Sequence, residues 1–247
     1  MLWPKLVTAV LSCATLMGAQ SLPAGTALPI EVGSTLNAKN AKPGQAISGK
    51  LMQEVRLASG AMLKKGSRVT GHVVSAKKPG AGGASLVVQF DRIQDGTQSM
   101  ALNVSLRALA SSTDVFNCGL PTGPSSTAEF SGNWITRQVG GELVFRGRGY
   151  VASQEGKVGT WSGSGVWGRL QPADDCPASD GNGVEQALWI FSTTACGTYG
   201  LEDVKLAHAG RSAPVGQITL ESPKDIEVRG GSGWLLLANP AAPEAGK

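Results

Sequence analysis

The chain has 247 residues, which is enough for one large all-β domain or two small ones with a substantial hydrophobic core. It contains 34 glycines and 13 prolines, while aromatic residues make up 5% and charged residues 16% of the sequence. This composition favours short strands joined by glycine turns over a helical fold, and it is too apolar for a chain that is disordered throughout. The formal net charge is only +4 and the basic residues are scattered, so no nucleic acid is expected as a partner.

Residues 1–19 have the pattern of a signal peptide. Lys5 supplies a positive charge, and the apolar segment Leu6–Met17 that follows is too short to span a bilayer comfortably. We therefore expect an exported protein that is periplasmic, outer-membrane associated or secreted, with no transmembrane helix in the mature chain. Cys13 follows the sequence Val-Leu-Ser, which leaves lipid attachment at this residue open.

Residues 20–110 are predicted to form the first half of an antiparallel β-barrel or sandwich. Ala46–Leu57 is the longest predicted strand of this half, and Gly60–Gly96 contains three further strand-forming runs separated by glycine turns. Apolar residues alternate with polar ones along such runs, as at Met100, Leu102, Val104 and Leu106. The turns between the runs are short, which is typical of an antiparallel meander.

Residues 111–170 are predicted to be a linker and a partly irregular insertion rich in glycine, serine and proline. Ser111–Gly132 shows no hydrophobic periodicity and is expected to be a linker or a long surface loop. Trp134–Leu170 contains apolar islands interrupted by glycine, so short strands and a mobile excursion both remain open. Further along, Ala187–Ser192 has the length of a strand, although its apolar spacing also fits a short helix.

Residues 171–240 are predicted to close the β-domain, and residues 241–247 to form a tail. Trp234–Ala238 is a continuous apolar run, as expected for a strand that is buried on both faces. A terminal hairpin by itself could not cover both faces. We therefore predict that residues 215–238 return to the same barrel or sandwich as residues 22–108.

Removal of a signal peptide that contains Cys13 would leave three cysteines in the mature chain. In an oxidising compartment, one disulfide and one remaining thiol are then expected. Cys176 and Cys196 flank a polar, glycine-rich excursion and are the predicted pair, which leaves Cys118 without an assigned role. The spacing fits no zinc pattern, so neither a metal nor another cofactor is expected.

Residues 22–108 carry a characteristic series of turn residues and strand ends, namely Leu22-Pro23-Ala24-Gly25-Thr26, Pro43-Gly44, Val55, Lys65-Gly66-Ser67, Gly71, Phe90-Asp91-Arg92-Ile93 and Asp95-Gly96. This series resembles the conjugal-transfer TrbI-like family, whose members form the outer-membrane ring of type IV secretion core complexes. The resemblance implies a β-barrel-like domain in the periplasm with a structural, assembly-type role. Family members usually have an inner-membrane helix and a proline-rich stalk before this domain, so the whole chain is more similar to a stand-alone secreted relative.

Three motifs have the form of functional sites but simpler structural explanations. Gly163–Gly168 matches G-x-G-x-x-G, yet Pro172 follows and excludes the long helix that dinucleotide binding needs. His72 and His208 could each be placed in a Ser-His-Asp triad, but no nucleophile elbow accompanies them. A possible calcium loop lacks the EF-hand spacing of its oxygen ligands, which are Asp174, Asp175, Asp180 and Asn182. No catalytic, metal or cofactor-binding residue is therefore predicted.

Two groups of residues are candidates for contacts. Lys64, Lys65 and Arg68 form a basic cluster beside a turn, where a solvated hairpin tip is the simplest interpretation and contact with a partner or an anionic surface is the alternative. Trp161 and Trp167 lie in a glycine-rich stretch, where core packing is the simplest interpretation and contact with a glycan is the alternative.

The predicted function is that of an exported, non-enzymatic β-domain with a structural or assembly role in the cell envelope. Envelope proteins or further copies of the chain are the expected partners. The alternative is a carbohydrate- or surface-binding β-sandwich, which requires Trp161 and Trp167 to be exposed together on a concave face. A hydrolase ranks third, because the acidic residues lie mostly at turns, where solvent keeps their chemistry ordinary.

Overall fold

The computed structural model describes residues 22–57, 59–122, 134–173, 176, 181–207 and 215–240. This part of the chain consists mainly of two β-sheets, which confirms the prediction of an all-β fold. No helix among these residues has the length and apolarity needed to cross a membrane. The predicted signal peptide with Cys13 and the predicted C-terminal tail lie outside the described residues.

The larger sheet, here called the curled sheet, has ten strands: β1 (Ala27–Val32), β3 (Ala46–Leu51), β6 (Arg68–Lys77), β7 (Ala84–Asp95), β8 (Gln98–Ala101), β9 (Val104–Ala110), β16 (Gly197–Tyr199), β17 (Lys205–Leu206), β18 (Gln217–Ser222) and β20 (Gly233–Ala238). Their order is β16-β9-β20-β1-β3-β6-β7-β18-β17, and β8 also pairs with β7. All pairs are antiparallel except β16 with β9. The two edge strands β16 and β17 contact each other, so the sheet curls around a common interior.

The smaller sheet, here called the meander sheet, has six strands that follow one another in chain order: β10 (Ile135–Arg137), β11 (Leu143–Phe145), β12 (Tyr150–Ser153), β13 (Gly156–Ser162), β14 (Gly165–Gly168) and β15 (Gln186–Trp189). All of its pairs are antiparallel. The structure thus decides between the alternatives that the sequence left open. The glycine-interrupted region forms short strands, and the apolar run Ala187–Ser192 begins within the strand β15, which ends at Trp189, and contains no helix.

Two short ladders complete the strands. In one, β2 (Leu36–Asn37) pairs with β19 (Glu227–Val228), and in the other, β4 (Val55–Arg56) pairs with β5 (Met62–Leu63). The predicted strand Ala46–Leu57 was therefore wrong in its length, since it is divided into β3 and β4. Between them the chain leaves the curled sheet at Gln53, whose Oε1 accepts a hydrogen bond from the backbone N–H of Trp189 at 2.7 Å.

The one α-helix among the described residues, α1 (Ser112–Asn117), begins where a linker was predicted. Ser111 caps it, because its hydroxyl oxygen accepts a hydrogen bond from the backbone N–H of Asp114. A helix of six residues is too short to show hydrophobic periodicity, which explains why the sequence did not reveal it. A 3-10 helix, Arg146–Arg148, connects β11 to β12. Residues 123–133 of the predicted linker lie outside the described residues.

Strand β20 lies between β1 and β9 in the curled sheet and is buried along its whole length. Trp234 and Leu236 point into the interior of the curled sheet. There the rings of Trp234 and Phe90 pack edge to face, with their centroids 5.6 Å apart. Leu235 and Leu237 point to the other side and pack against the meander sheet. Strands β18 and β20 thus belong to the same sheet as strands of residues 22–108, while β19 pairs with β2 outside that sheet. Trp234–Ala238 is covered on both faces, as predicted.

The core between the two sheets is built from small and branched residues. Ala27, Ala108 and Leu237 of the curled sheet face Val144, Val151 and Val166 of the meander sheet. Alanine and valine let the two layers approach closely, and each fully buried valine or leucine stabilises the fold by about 1.5–3 kcal/mol. The meander sheet is thus fixed on the outside of the curled sheet.

Candidate functional site

The predicted basic turn lies between β5 and β6 and has a defined backbone conformation. The Ser67 hydroxyl donates to the carbonyl oxygen of Lys64 at 2.7 Å, and the Lys64 N–H donates to Asp95 Oδ2 at 3.2 Å. Gly66 has a φ of 90°, which a residue with a side chain rarely adopts. Lys64 and Lys65 are consequently held at the surface, and both are exposed.

The pairing of β6 with β7 places a fourth cation, Arg92, near this turn. Arg68 lies opposite Gln94, and Arg92, two residues before Gln94, lies opposite Thr70. Both arginines are exposed, so they are diagonal neighbours on the outer face of the sheet. We call Lys64, Lys65, Arg68 and Arg92 the basic surface. In the described part of the chain none of the four forms a salt bridge. Sequence reasoning missed Arg92 because a bulge at Thr70/Gly71 interrupts the alternation that would have placed it.

The two tryptophans proposed for glycan contact do not lie on one face. Trp161 pairs with Val166, the residue before Trp167, and successive residues of a strand point to opposite faces. Trp167 is only 5% exposed and lies beneath the guanidinium of Arg56, 4.3 Å from the ring centroid. Trp161 packs partly against the intersheet core, with the Arg146 guanidinium 5.2 Å from its ring. The prediction that these two rings line a shared cleft is therefore wrong.

The cysteine predictions agree with the structure. Cys176 and Cys196 form a disulfide, with their Cα atoms 6.1 Å apart and a sequence separation of 20. Cys118 is a free, buried cysteine. Burial raises the pKa of its thiol to about 11, so the reactive thiolate is scarce at neutral pH.

The remaining predicted motifs occupy ordinary structural positions where they are described. His72 Nδ1 lies 2.8 Å from Asp91 Oδ2, and the Gln89 amide donates to the same carboxylate, so this polar group contains no serine. Gly163–Gly168 forms the turn between β13 and β14 together with β14 itself, and the next element among the described residues is the strand β15 rather than the helix that a dinucleotide fingerprint would require. His208 and the acids of the possible calcium loop, Asp174, Asp175 and Asp180, lie outside the described residues.

A cleft that the sequence did not reveal lies at one end of the meander sheet. In an antiparallel meander every second connection falls at the same end, which here gathers the connections β10–β11, β12–β13 and β14–β15. The described residues of these connections and the adjoining strand ends line a cleft of about 860 Å³. We call it the loop-end cleft, and the charged residues in its described lining are Glu142, Glu155, Lys157, Arg169 and Glu185.

Glu142 differs from the other charged residues of the loop-end cleft because it is buried. Its side chain is 5% exposed, and its carboxylate accepts hydrogen bonds from the backbone N–H of Thr193, at 3.1 Å, and from the Thr193 hydroxyl. Loss of solvent raises the pKa of Glu142, and the two hydrogen bonds partly oppose this shift. The sequence Gly140-Gly141-Glu142 has the appearance of an ordinary exposed turn, so the prediction that turn acids remain solvated was wrong for Glu142.

The loop-end cleft is attached to the curled sheet through a fully buried arginine. Arg107 of β9 donates from Nε to the carbonyl oxygen of Ala195 at 2.9 Å and from Nη2 to the carbonyl oxygen of Gln171. The Gln171 N–H in turn donates to the carbonyl oxygen of Thr193 at 2.9 Å. The disulfide joins Cys176, in the β14–β15 connection, to Cys196, which directly precedes β16. The walls of the cleft are therefore fixed to the rest of the fold.

Comparison with known proteins does not identify a relative: no family model matches the chain, and no curated protein matches it significantly. The resemblance of residues 22–108 to the TrbI-like family stays a prediction.

Proposed function

We propose that the protein is an exported, non-enzymatic β-domain with a structural or assembly role in the cell envelope. The observation that carries this proposal is the basic surface, where four exposed cations lie together on a rigid part of the fold. Such a surface attracts a partner of opposite charge and helps to orient it during docking. The predicted partner is an envelope protein with an acidic patch, and self-association is the alternative.

Two further features support an envelope location. The chain begins with the pattern of a signal peptide, and the Cys176–Cys196 disulfide is typical of proteins that fold in an oxidising compartment. The resemblance to the TrbI-like family supports an assembly role in the same location. A carbohydrate-binding sandwich is not proposed through Trp161 and Trp167, because the two rings are on opposite faces of the meander sheet.

The proposal is tested by reversing charge on the basic surface. The triple variant Lys64→Glu, Lys65→Glu, Arg68→Glu is compared with a control triple variant, Lys42→Glu, Lys78→Glu, Arg148→Glu. All six residues are exposed and the two variants have the same net charge. We expect cross-linking to an envelope partner in intact cells to fall about tenfold in the first variant and to persist in the control.

Equal cross-linking in both variants would remove the basic surface from the proposal. Analytical ultracentrifugation of the purified wild-type protein distinguishes a heterologous partner from a second copy of the chain. Cell fractionation tests export separately, and accumulation of the wild-type protein in the cytosol would contradict an envelope role.

A further inference from the structure

The loop-end cleft is concave, polar and anchored on several sides. Its volume of about 860 Å³ lies within the range of small-molecule and short-peptide sites, which is about 300–1,000 Å³. Binding sites often lie on the connections at one end of a rigid β-scaffold. Here that scaffold is the meander sheet, which Arg107 and the disulfide fasten to the curled sheet.

The loop-end cleft is lined by both cationic and anionic side chains, and those that the structure describes do not form salt bridges with one another. Lys157 and Arg169 are exposed cations, and Glu155 and Glu185 are exposed carboxylates. Within the described residues these four form no salt bridge, although Glu185 Oε1 accepts a hydrogen bond from the Thr160 hydroxyl at 3.4 Å. The buried carboxyl group of Glu142 lies in the same lining. The cleft therefore offers both hydrogen-bond donors and acceptors that are available to a ligand.

The distribution of charge narrows the ligand class. A ligand with only negative charge would meet the carboxyl groups of Glu142, Glu155 and Glu185, and one with only positive charge would meet Lys157 and Arg169. A neutral glycan normally stacks on aromatic rings, whereas the described lining of this cleft contains no aromatic side chain. A ligand that carries a carboxylate and an ammonium group can place each next to opposite charge.

We propose that the loop-end cleft binds a short zwitterionic peptide. Arg169 and Lys157 receive its carboxylate, since an arginine can bind a carboxylate through two parallel hydrogen bonds. Glu185 and Glu155 receive its terminal ammonium group. Glu142 is a positioning residue, because its hydrogen bonds hold Thr193 in the cleft wall.

The test uses the full chain and four forms of one probe: free Ala-Ala-Ala, its N-acetylated form, its C-amidated form, and the form blocked at both ends. Binding is measured by calorimetry, and the site is located from the amide chemical shifts of Gly168 and Thr193. We expect each blocked end to weaken binding about tenfold, because each removes one charge-assisted contact.

Matched variants assign each end of the peptide to its contact. In Arg169→Gln the preference for the free over the C-amidated peptide should fall, because only Lys157 remains to receive the carboxylate. In Glu185→Gln the preference for the free over the N-acetylated peptide should fall, because only Glu155 remains to receive the ammonium group. The controls are Arg148→Gln, in the connection at the opposite end of the meander sheet, and Glu54→Gln, outside the loop-end cleft. Both controls should retain the full preference for free ends.

Three results would overturn the proposal: no binding of the free peptide at millimolar concentration, equal binding of the free and doubly blocked peptides, or an unchanged carboxylate preference in Arg169→Gln. Charge reversal on the basic surface should leave peptide binding unchanged. Failure of the peptide site and failure of the proposed assembly role are therefore separable.

Discussion

Arg107 donates a hydrogen bond from its Nε to the carbonyl oxygen of Ala195 at 2.9 Å, although the two residues are 88 positions apart in sequence. Arg107 is fully buried in β9 of the curled sheet, while Ala195 lies in the connection that leads from β15 of the meander sheet to β16 of the curled sheet. A second hydrogen bond joins Arg107 to Gln171. One buried cation thus holds the β14–β15 connection at Gln171 and the β15–β16 connection at Ala195.

Replacement of Arg107 by methionine should destabilise the protein. The change removes charge-assisted hydrogen bonds and leaves the carbonyl oxygens of Gln171 and Ala195 without these donors, so we expect a loss of about 3 kcal/mol in the free energy of unfolding. Urea denaturation measures this loss, with the exposed Arg148→Met as the control. A loss no larger than that of the control would show that Arg107 does not join the two layers.

Removal of the disulfide should also lower stability. The Cys176→Ala, Cys196→Ala variant opens a loop of 20 residues, for which chain-entropy arguments give about 3 kcal/mol. Thermal unfolding of the variant and of the wild type, each without reductant, measures the difference. Adding reductant should lower the melting temperature of the wild type only. An equal shift in both would contradict a role for this bond in stability.

Glu142 should make stability depend on pH in the direction opposite to that of an ion-paired acid. Its pKa is raised in the folded protein, so the folded state binds the proton more tightly than the unfolded state. Stability from this residue is present below the ordinary carboxyl pKa of about 4.3 and is lost as the pH rises through the raised pKa. Glu142→Gln should remove that loss while retaining a hydrogen-bonding group.

The measurement for Glu142 is urea denaturation of wild type and Glu142→Gln at a series of pH values upward from about pH 4. The variant should gain stability relative to wild type as the pH increases from about 4 through the raised pKa of Glu142. Glu155→Gln is the control, since Glu155 is an exposed carboxylate in the same cleft. A stability difference that is independent of pH would show that Glu142 titrates as an ordinary carboxyl group.

Cys118 should react slowly with alkylating reagents in the folded protein. Its pKa of about 11 leaves little thiolate at pH 8, and the side chain is only 6% exposed. Mass spectrometry after iodoacetamide treatment should show one modification per chain only when the protein is unfolded with its disulfide intact. The experiment uses a Cys13→Ala variant, so that Cys13 does not contribute. Rapid labelling of the native protein would indicate that α1 opens readily.

Local sequence patterns determined the fold class, because the alternation of apolar and polar residues and the glycine turns between strands each involve only a few neighbouring residues. The burial of Trp234–Ala238 on both faces was predictable from its local sequence, since a strand made only of apolar residues is unfavourable in water. The disulfide between Cys176 and Cys196 was predictable because the two residues flank a polar excursion of limited length. The basic turn was predictable from adjacent charges beside a glycine.

Only the tertiary structure decided which residues separated in sequence come together. The register of β6 and β7 places Arg92 beside Arg68. A bulge in that pairing interrupts the alternation of buried and exposed residues, so the sequence pattern did not predict this neighbour. Strand pairing likewise puts Trp161 and Trp167 on opposite faces, although their spacing says nothing about this. Glu142 has the sequence context of a solvated turn, but it is buried because Thr193, 51 residues later, folds onto it. Burial and register depend on contacts between segments that are distant in sequence. Local patterns therefore predicted most strands of the curled sheet but not the loop-end cleft.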